Sequence, residues 1–148
     1  MSAVGAPKTG ATLSPAARLD TLLGKVTMYR LILLVLASLA AYSLLLNALG
    51  WLTFGLPQML VHLVLCLGLT YASNRGLAAL FGVRPHSESS LITGLLLYFL
   101  FWPTVAPTDM MGVALACVLA SASKYALAWR GRHIFNPAAA GAFVAGLT

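Results

Sequence analysis

Lys124, Arg132, His133 and Asn136 have the types and spacing to hold an anionic or carbonyl-rich ligand. They lie in the run Lys124-Tyr125-Ala126-Leu127-Ala128-Trp129-Arg130-Gly131-Arg132-His133-Ile134-Phe135-Asn136-Pro137. Asn136 is a natural helix N-cap and Pro137 a natural first helical residue. A helix start offers unpaired backbone N–H groups and about half a positive charge. With Arg132 and His133 beside it, such a start suits an anion, a phosphate or the carbonyl edge of a flavin. A second connection reads Phe81-Gly82-Val83-Arg84-Pro85-His86-Ser87-Glu88-Ser89-Ser90. There Ser89 or Ser90 is the expected N-cap of a helix from about Leu91, with Glu88 favouring the positive end of its dipole. Both connections aim helix starts inward from one side, and short helices at matching places mark binding sites in inverted-repeat membrane folds.

Each of these residues also has a plainer reading. Arg130 and Arg132 serve as stop-transfer anchors, and Lys124 snorkels to the interface. His62, on an otherwise apolar stretch, calls for a partner, which a hydrogen bond to a neighbouring helix supplies. Ala138, Ala142 and Gly146 suit a close helix contact. Cys66 and Cys117 each lie in an apolar run, make no metal-ligand spacing and read as lipid-side or core packing residues. Two cysteines are too few for a disulfide framework. No catalytic set and no metal site emerges.

The elements that position these residues follow from composition. Sixty per cent of the 148 residues are apolar and 8% are charged; mean hydropathy is +0.91. A soluble domain carries roughly a quarter of its residues charged, so this exterior is expected to face lipid. The net charge of +6 does not point to nucleic acid, because the basic residues stand singly between apolar runs.

The expected fold is an all-α membrane bundle of about five helices, one of them short. Residues 1–13 are small and polar and read as a disordered tail. Residues 14–27 open on Ser14-Pro15 and place Leu19, Leu22, Leu23 and Val26 at helical spacing. They suit an interfacial amphipathic helix, or an extension of the first span. No apolar core precedes Leu31, so no signal peptide is expected. Residues 28–148 form the membrane domain. Its segments run from about Tyr29 to Leu49, Pro57 to Ala72, Leu91 to Trp102 and Met110 to Trp129, with a fifth from Pro137. The third segment and the fifth hold about twelve residues each, roughly 18 Å of helix against a hydrocarbon core of about 30 Å. The fifth is therefore either a half-helix or the start of a longer one, in which case the domain reads as part of a larger one, its N-terminal half.

Charge sets the orientation. If the segments alternate in direction, all nine Lys and Arg residues fall on one side. That side is cytoplasmic by the positive-inside rule and includes the N-terminus. Trp51 and Phe54, in the turn after the first segment, read as an interface belt.

The stretches Ser123-Lys124-Tyr125 and Gly131-Arg132-His133-Ile134-Phe135-Asn136-Pro137 resemble a family of membrane subunits. Its members are the D-type membrane component of the Rnf electron-transport complex and the B-type membrane component of the sodium-pumping NADH:quinone oxidoreductase. Ser90-Leu91-Ile92-Thr93-Gly94-Leu95, running to Trp102-Pro103, is similar to that family's short third helix, and the likeness covers roughly residues 25–148. It implies one repeat of a fold of about ten helices in two inverted repeats, like that of urea transporters. It also implies flavins (FMN or riboflavin), electron transfer coupled to ion transport, and other subunits of a complex as partners. Asn136 matches an asparagine near a riboflavin in the sodium-pumping relatives; Ala139 stands where a second asparagine is expected. The family's threonine that takes covalent FMN belongs to a downstream motif that these residues lack. The wording also resembles actinobacterial versions, in some of which a soluble flavin and NAD(P)-binding reductase domain follows.

The implied function is part of an NAD(P)H-linked oxidoreductase without a complete active site of its own. Asn136, Arg132, His133 and Lys124 are its candidate flavin-contacting residues. The alternative is a solute channel or transporter of urea-transporter-like fold.

Overall fold

The computed structural model describes residues 27–126, 128–129, 132–133 and 136–147, with 128–129 and 132–133 as backbone. The expected tail and interfacial helix, apart from Thr27, lie outside the described residues. Among the described residues five helices follow in order: α1 Met28–Ala48, α2 Leu56–Phe81, α3 Ser87–Leu100, α4 Pro107–Ala126 and α5 Pro137–Gly146. Between α4 and α5, β1 (Ala128–Trp129) and β2 (Arg132–His133) pair antiparallel, Ala128 opposite His133 and Trp129 opposite Arg132. The described chain is otherwise all-α, as composition led us to expect. Of these helices, α1 and α2 are long and apolar enough to cross a membrane.

The helix ends carry their own signals. Thr27 caps α1, its hydroxyl accepting from the Arg30 N–H. Gly50, at φ 76°, turns the chain out of α1, and the Trp51 N–H closes on the Leu46 carbonyl at 3.0 Å. At the start of α2 the Gly55 N–H donates to the Gln58 side chain at 3.2 Å. Gly82, at φ 63°, ends α2: Val83 N–H donates to Ala78 O and Gly82 N–H to Ala79 O. That is the Schellman pattern, which only a residue tolerant of positive φ completes cheaply.

Several boundaries differ from the sequence expectation, among them the start of α4 at Pro107 rather than Met110. α2 continues nine residues past Ala72, to its 26-residue length, because nothing between Ala72 and Gly82 breaks a helix. It is about 39 Å long at about 1.5 Å per residue. α3 starts at Ser87 with His86 as N-cap, so neither Ser89 nor Ser90 caps it. The Ser90 hydroxyl instead donates back to Ser87 O at 2.8 Å, and Ser90 is wholly buried. α3 remains short, 14 residues or about 21 Å. α4 ends at Ala126 rather than Trp129, and Trp129 belongs to β1.

The bundle runs up, down, up, down. Arg30 at the start of α1 pairs with Glu88 at the start of α3 at 3.0 Å. Lys124 near the end of α4 reaches Ser89 O of α3 at 3.0 Å, and Tyr125 stacks on Phe81 at the end of α2. The starts of α1 and α3 and the ends of α2 and α4 therefore share one end. At the other end Phe54, between α1 and α2, meets Trp102, between α3 and α4, edge to face at 4.8 Å. The first end holds Arg30, Arg84 and Lys124, with Arg75 in the last two turns of α2. Lys8, Arg18, Lys25 and Arg130 lie outside the described residues.

The interior mixes apolar residues such as Leu97, Met59 and Ala116 with buried polar ones, while large apolar side chains stand on the exterior. Leu34, Val35, Leu39, Leu45, Val64 and Phe143 are exposed, while His62, Thr70, Ser90 and Ser121 are wholly buried. Two glycines let helices approach closely. A Cβ at Gly94 would lie 2.6 Å from Thr70 Oγ1 and 3.0 Å from the Cys66 carbonyl. A Cβ at Gly141 would run into the Ala116 carbonyl and come within 2.8 Å of Ala120 N. These are the α2–α3 and α4–α5 contacts, the close crossings small residues permit. On α5 it is Ala138 and Gly141 that are buried; Gly146, expected in the contact, is exposed.

Candidate functional site

Asn136 caps α5 as expected: its Oδ1 accepts from the Ala138 N–H at 3.1 Å, and Pro137 follows as the first helical residue. The residue is otherwise exposed. α5 descends along α4 from the basic end, since Ala138 and Gly141 precede Ala145 on the way toward the far end. Its N–H groups therefore open toward the basic side. Arg132 and His133 lie on β2, their backbones paired with Trp129 and Ala128, three and four residues before Asn136.

Lys124 departs from both of its readings. It is 6% exposed, and its ammonium donates to Ser89 O on α3 rather than snorkelling to water. The same carbonyl accepts the Thr93 hydroxyl at 2.8 Å. An amine this buried needs such acceptors, because desolvation of a charge is expensive. The structure thus keeps Asn136 and the β2 backbone in one stretch and turns Lys124 toward the start of α3.

A second constellation, between α2 and α4, escaped the sequence reading. The buried residues of α2 include His62, Cys66, Thr70 and Asn74, and those of α4 include Cys117, Ser121 and Lys124. The two helices run in the same direction, so facing residues keep a constant separation. Tyr125 hydroxyl lies against Asn74, 3.1 Å from its carbonyl and 3.0 Å from Oδ1, at a separation of 51 residues. The Ser121 hydroxyl donates to Thr70 O at 3.3 Å across the same separation. Cys66 and Cys117, again 51 apart, face each other as side chains. The cysteines are core residues, and neither faces lipid.

His62 sits at the inner end of this file. Its Nε2 is 3.9 Å from Cys66 Sγ one turn away, and its ring tilts against Tyr98 of α3 at 5.7 Å. His62 Nδ1 has no close hydrogen-bond partner among the described residues. The expected hydrogen bond to a neighbouring helix falls to the Tyr98 main chain of α3. Asn74 Nδ2, at the other end of the file, is likewise buried without a partner. The signal in the sequence was the four-residue recurrence of polar types, His62, Cys66, Thr70, Asn74 and Cys117, Ser121, Tyr125.

At the far end, Trp102, Met111, Leu115, Val118 and Ala145 line an open apolar groove of about 900 Å³, well away from Asn136. Among the described residues no group of His, Cys, Asp and Glu is arranged to hold a metal ion. In comparisons with known proteins, no family model, no curated protein and no solved structure matches this chain.

Proposed function

We propose that this chain is a membrane-spanning repeat of a flavin-associated electron-transfer protein, of the Rnf D or NADH:quinone oxidoreductase B type, with its basic end cytoplasmic. The observation that carries the reading is the Asn136-capped start of α5 at the basic end, directly after the Arg132-His133 backbone. A flavin carbonyl or phosphate placed there would meet unpaired N–H groups and the positive end of a helix dipole. The short α3, starting from the same end, supports the same fold. The membrane part of the reading rests on the exposed apolar flanks of α1 and α2, which are long and apolar enough to cross a membrane. The flavin would supply the redox chemistry; the chain's part is to bind and orient it. The buried polar residues between α2 and α4 favour a second reading, a solute transporter of urea-transporter-like fold.

The test is the colour of the protein purified from the complete gene. A flavin band at about 450 nm supports the electron-transfer reading. Colourless protein that carries a small solute across liposomes overturns it in favour of the second.

A further inference from the structure

We infer that the file between α2 and α4 is a proton path, entered at the basic end and ending on the His62 ring, whose Nε2 faces Cys66. The inference rests on the membrane-spanning part of the reading above and not on the flavin.

The file is built at one-turn spacing on two parallel helices, with Asn74 and Tyr125 at the mouth, then Thr70 with Ser121, then Cys66 with Cys117, then His62. Every step carries an O–H, S–H or ring nitrogen, groups that accept a proton on a lone pair and release their own. The Thr70 hydroxyl now donates to the Cys66 carbonyl at 2.6 Å, and the Ser121 hydroxyl to the Thr70 carbonyl. Rotation of these hydroxyls toward each other connects the steps. The proton that arrives turns neutral imidazole into imidazolium, and the same route returns it.

The two ends are the places where polarity is unspent. Asn74 Nδ2 and His62 Nδ1 are buried without a close partner among the described residues, which in an apolar surrounding is costly unless the atoms have a use. The facing titratable groups are Cys66 on the same helix, Tyr98 on α3, and Cys117 on α4 one step beyond Cys66. On α1, Ser43 reaches Tyr98 hydroxyl at 3.2 Å and adds no charge.

The cargo follows from what the file lacks. Among the described residues the carboxylates are Glu88, paired with Arg30 at the surface, and Asp109, at the start of α4. Neither lies on the file, so no negative charge in it offsets that of a metal cation. A proton needs no hydration cage, and histidine is the side chain that exchanges one near neutral pH.

The native thiols report on the path. In liposomes transferred to D₂O, the S–H stretching bands of Cys66 and Cys117 should convert to S–D about tenfold or more faster than the mid-helix amides of α2 and α4 exchange. Cys117→Ala assigns the bands. Thr70→Val should slow conversion about tenfold, while Thr70→Ser, which keeps the hydroxyl, should convert like the parent. S–H bands that persist as long as those amides, or a Thr70→Val protein that converts at the parent rate, would overturn the proposal. Either result leaves the flavin measurement untouched.

Discussion

Arg30 and Glu88 stand 58 residues apart in sequence and 3.0 Å apart in space, joining the first turns of α1 and α3. Both side chains are well exposed, so the pair adds little stability; such pairs contribute about 0–1 kcal/mol. Its meaning is topological, because it fixes two helix starts at the basic end. With an impermeant maleimide, Thr104→Cys should therefore label in intact cells and Arg84→Cys only after the membrane is permeabilised. Labelling of both from the same face would contradict the alternating bundle.

The two crowded glycines should be far less tolerant than an open one. Gly94→Ala pushes a methyl group into Thr70 and the Cys66 carbonyl, and Gly141→Ala into the α4 backbone. Each should destabilise the folded protein by about 1–3 kcal/mol. Gly112→Ala meets nothing within 4 Å and should be neutral or slightly stabilising, since alanine is the better helix former. Unfolding in a mixed detergent titration ranks the three.

Lys124 is held by a carbonyl and not by a counter-charge. Lys124→Met keeps the volume and removes the charge, so it should fold with a stability change of about 1–3 kcal/mol at most. Lys124→Glu places a buried carboxylate against the Ser89 oxygen with no counter-charge beside it, and should fail to accumulate in membranes. Quantifying membrane-inserted protein separates the two.

Asn136 joins capping to the proposed flavin contact, and two substitutions divide these roles. Asn136→Ala should cost about 1 kcal/mol through loss of the cap and should lower flavin retention. Asn136→Asp keeps the cap acceptor, so its stability should match the parent while its added negative charge weakens flavin binding. Flavin-to-protein ratio and thermal midpoint, measured on the same samples, report the two effects. Unchanged flavin content in both variants would remove Asn136 from the site.

The apolar runs, the Asn136-Pro137 start and the single-sided charges were all legible in the sequence, because each is a local signal. Length and cap chemistry act within a few residues. The α3 start was misplaced because Ser89 and Ser90 look like caps by type. Burial of Ser90 and the bond from its hydroxyl to Ser87 were decided by packing.

What sequence alone determined is where α1 and α2 lie, that the segments alternate in direction, and that one end is basic. Periodicity also places His62, Cys66, Thr70 and Asn74 on one face, since side chains four apart in a helix share a side. Which face meets which was decided only by tertiary structure. The close approaches at Gly94 and Gly141 and the parallel run of α2 and α4 bring Cys66 to Cys117 and Ser121 to Thr70. Lys124 turned inward for the same reason: its acceptor, Ser89 O, lies 35 residues away, beyond the reach of any local pattern.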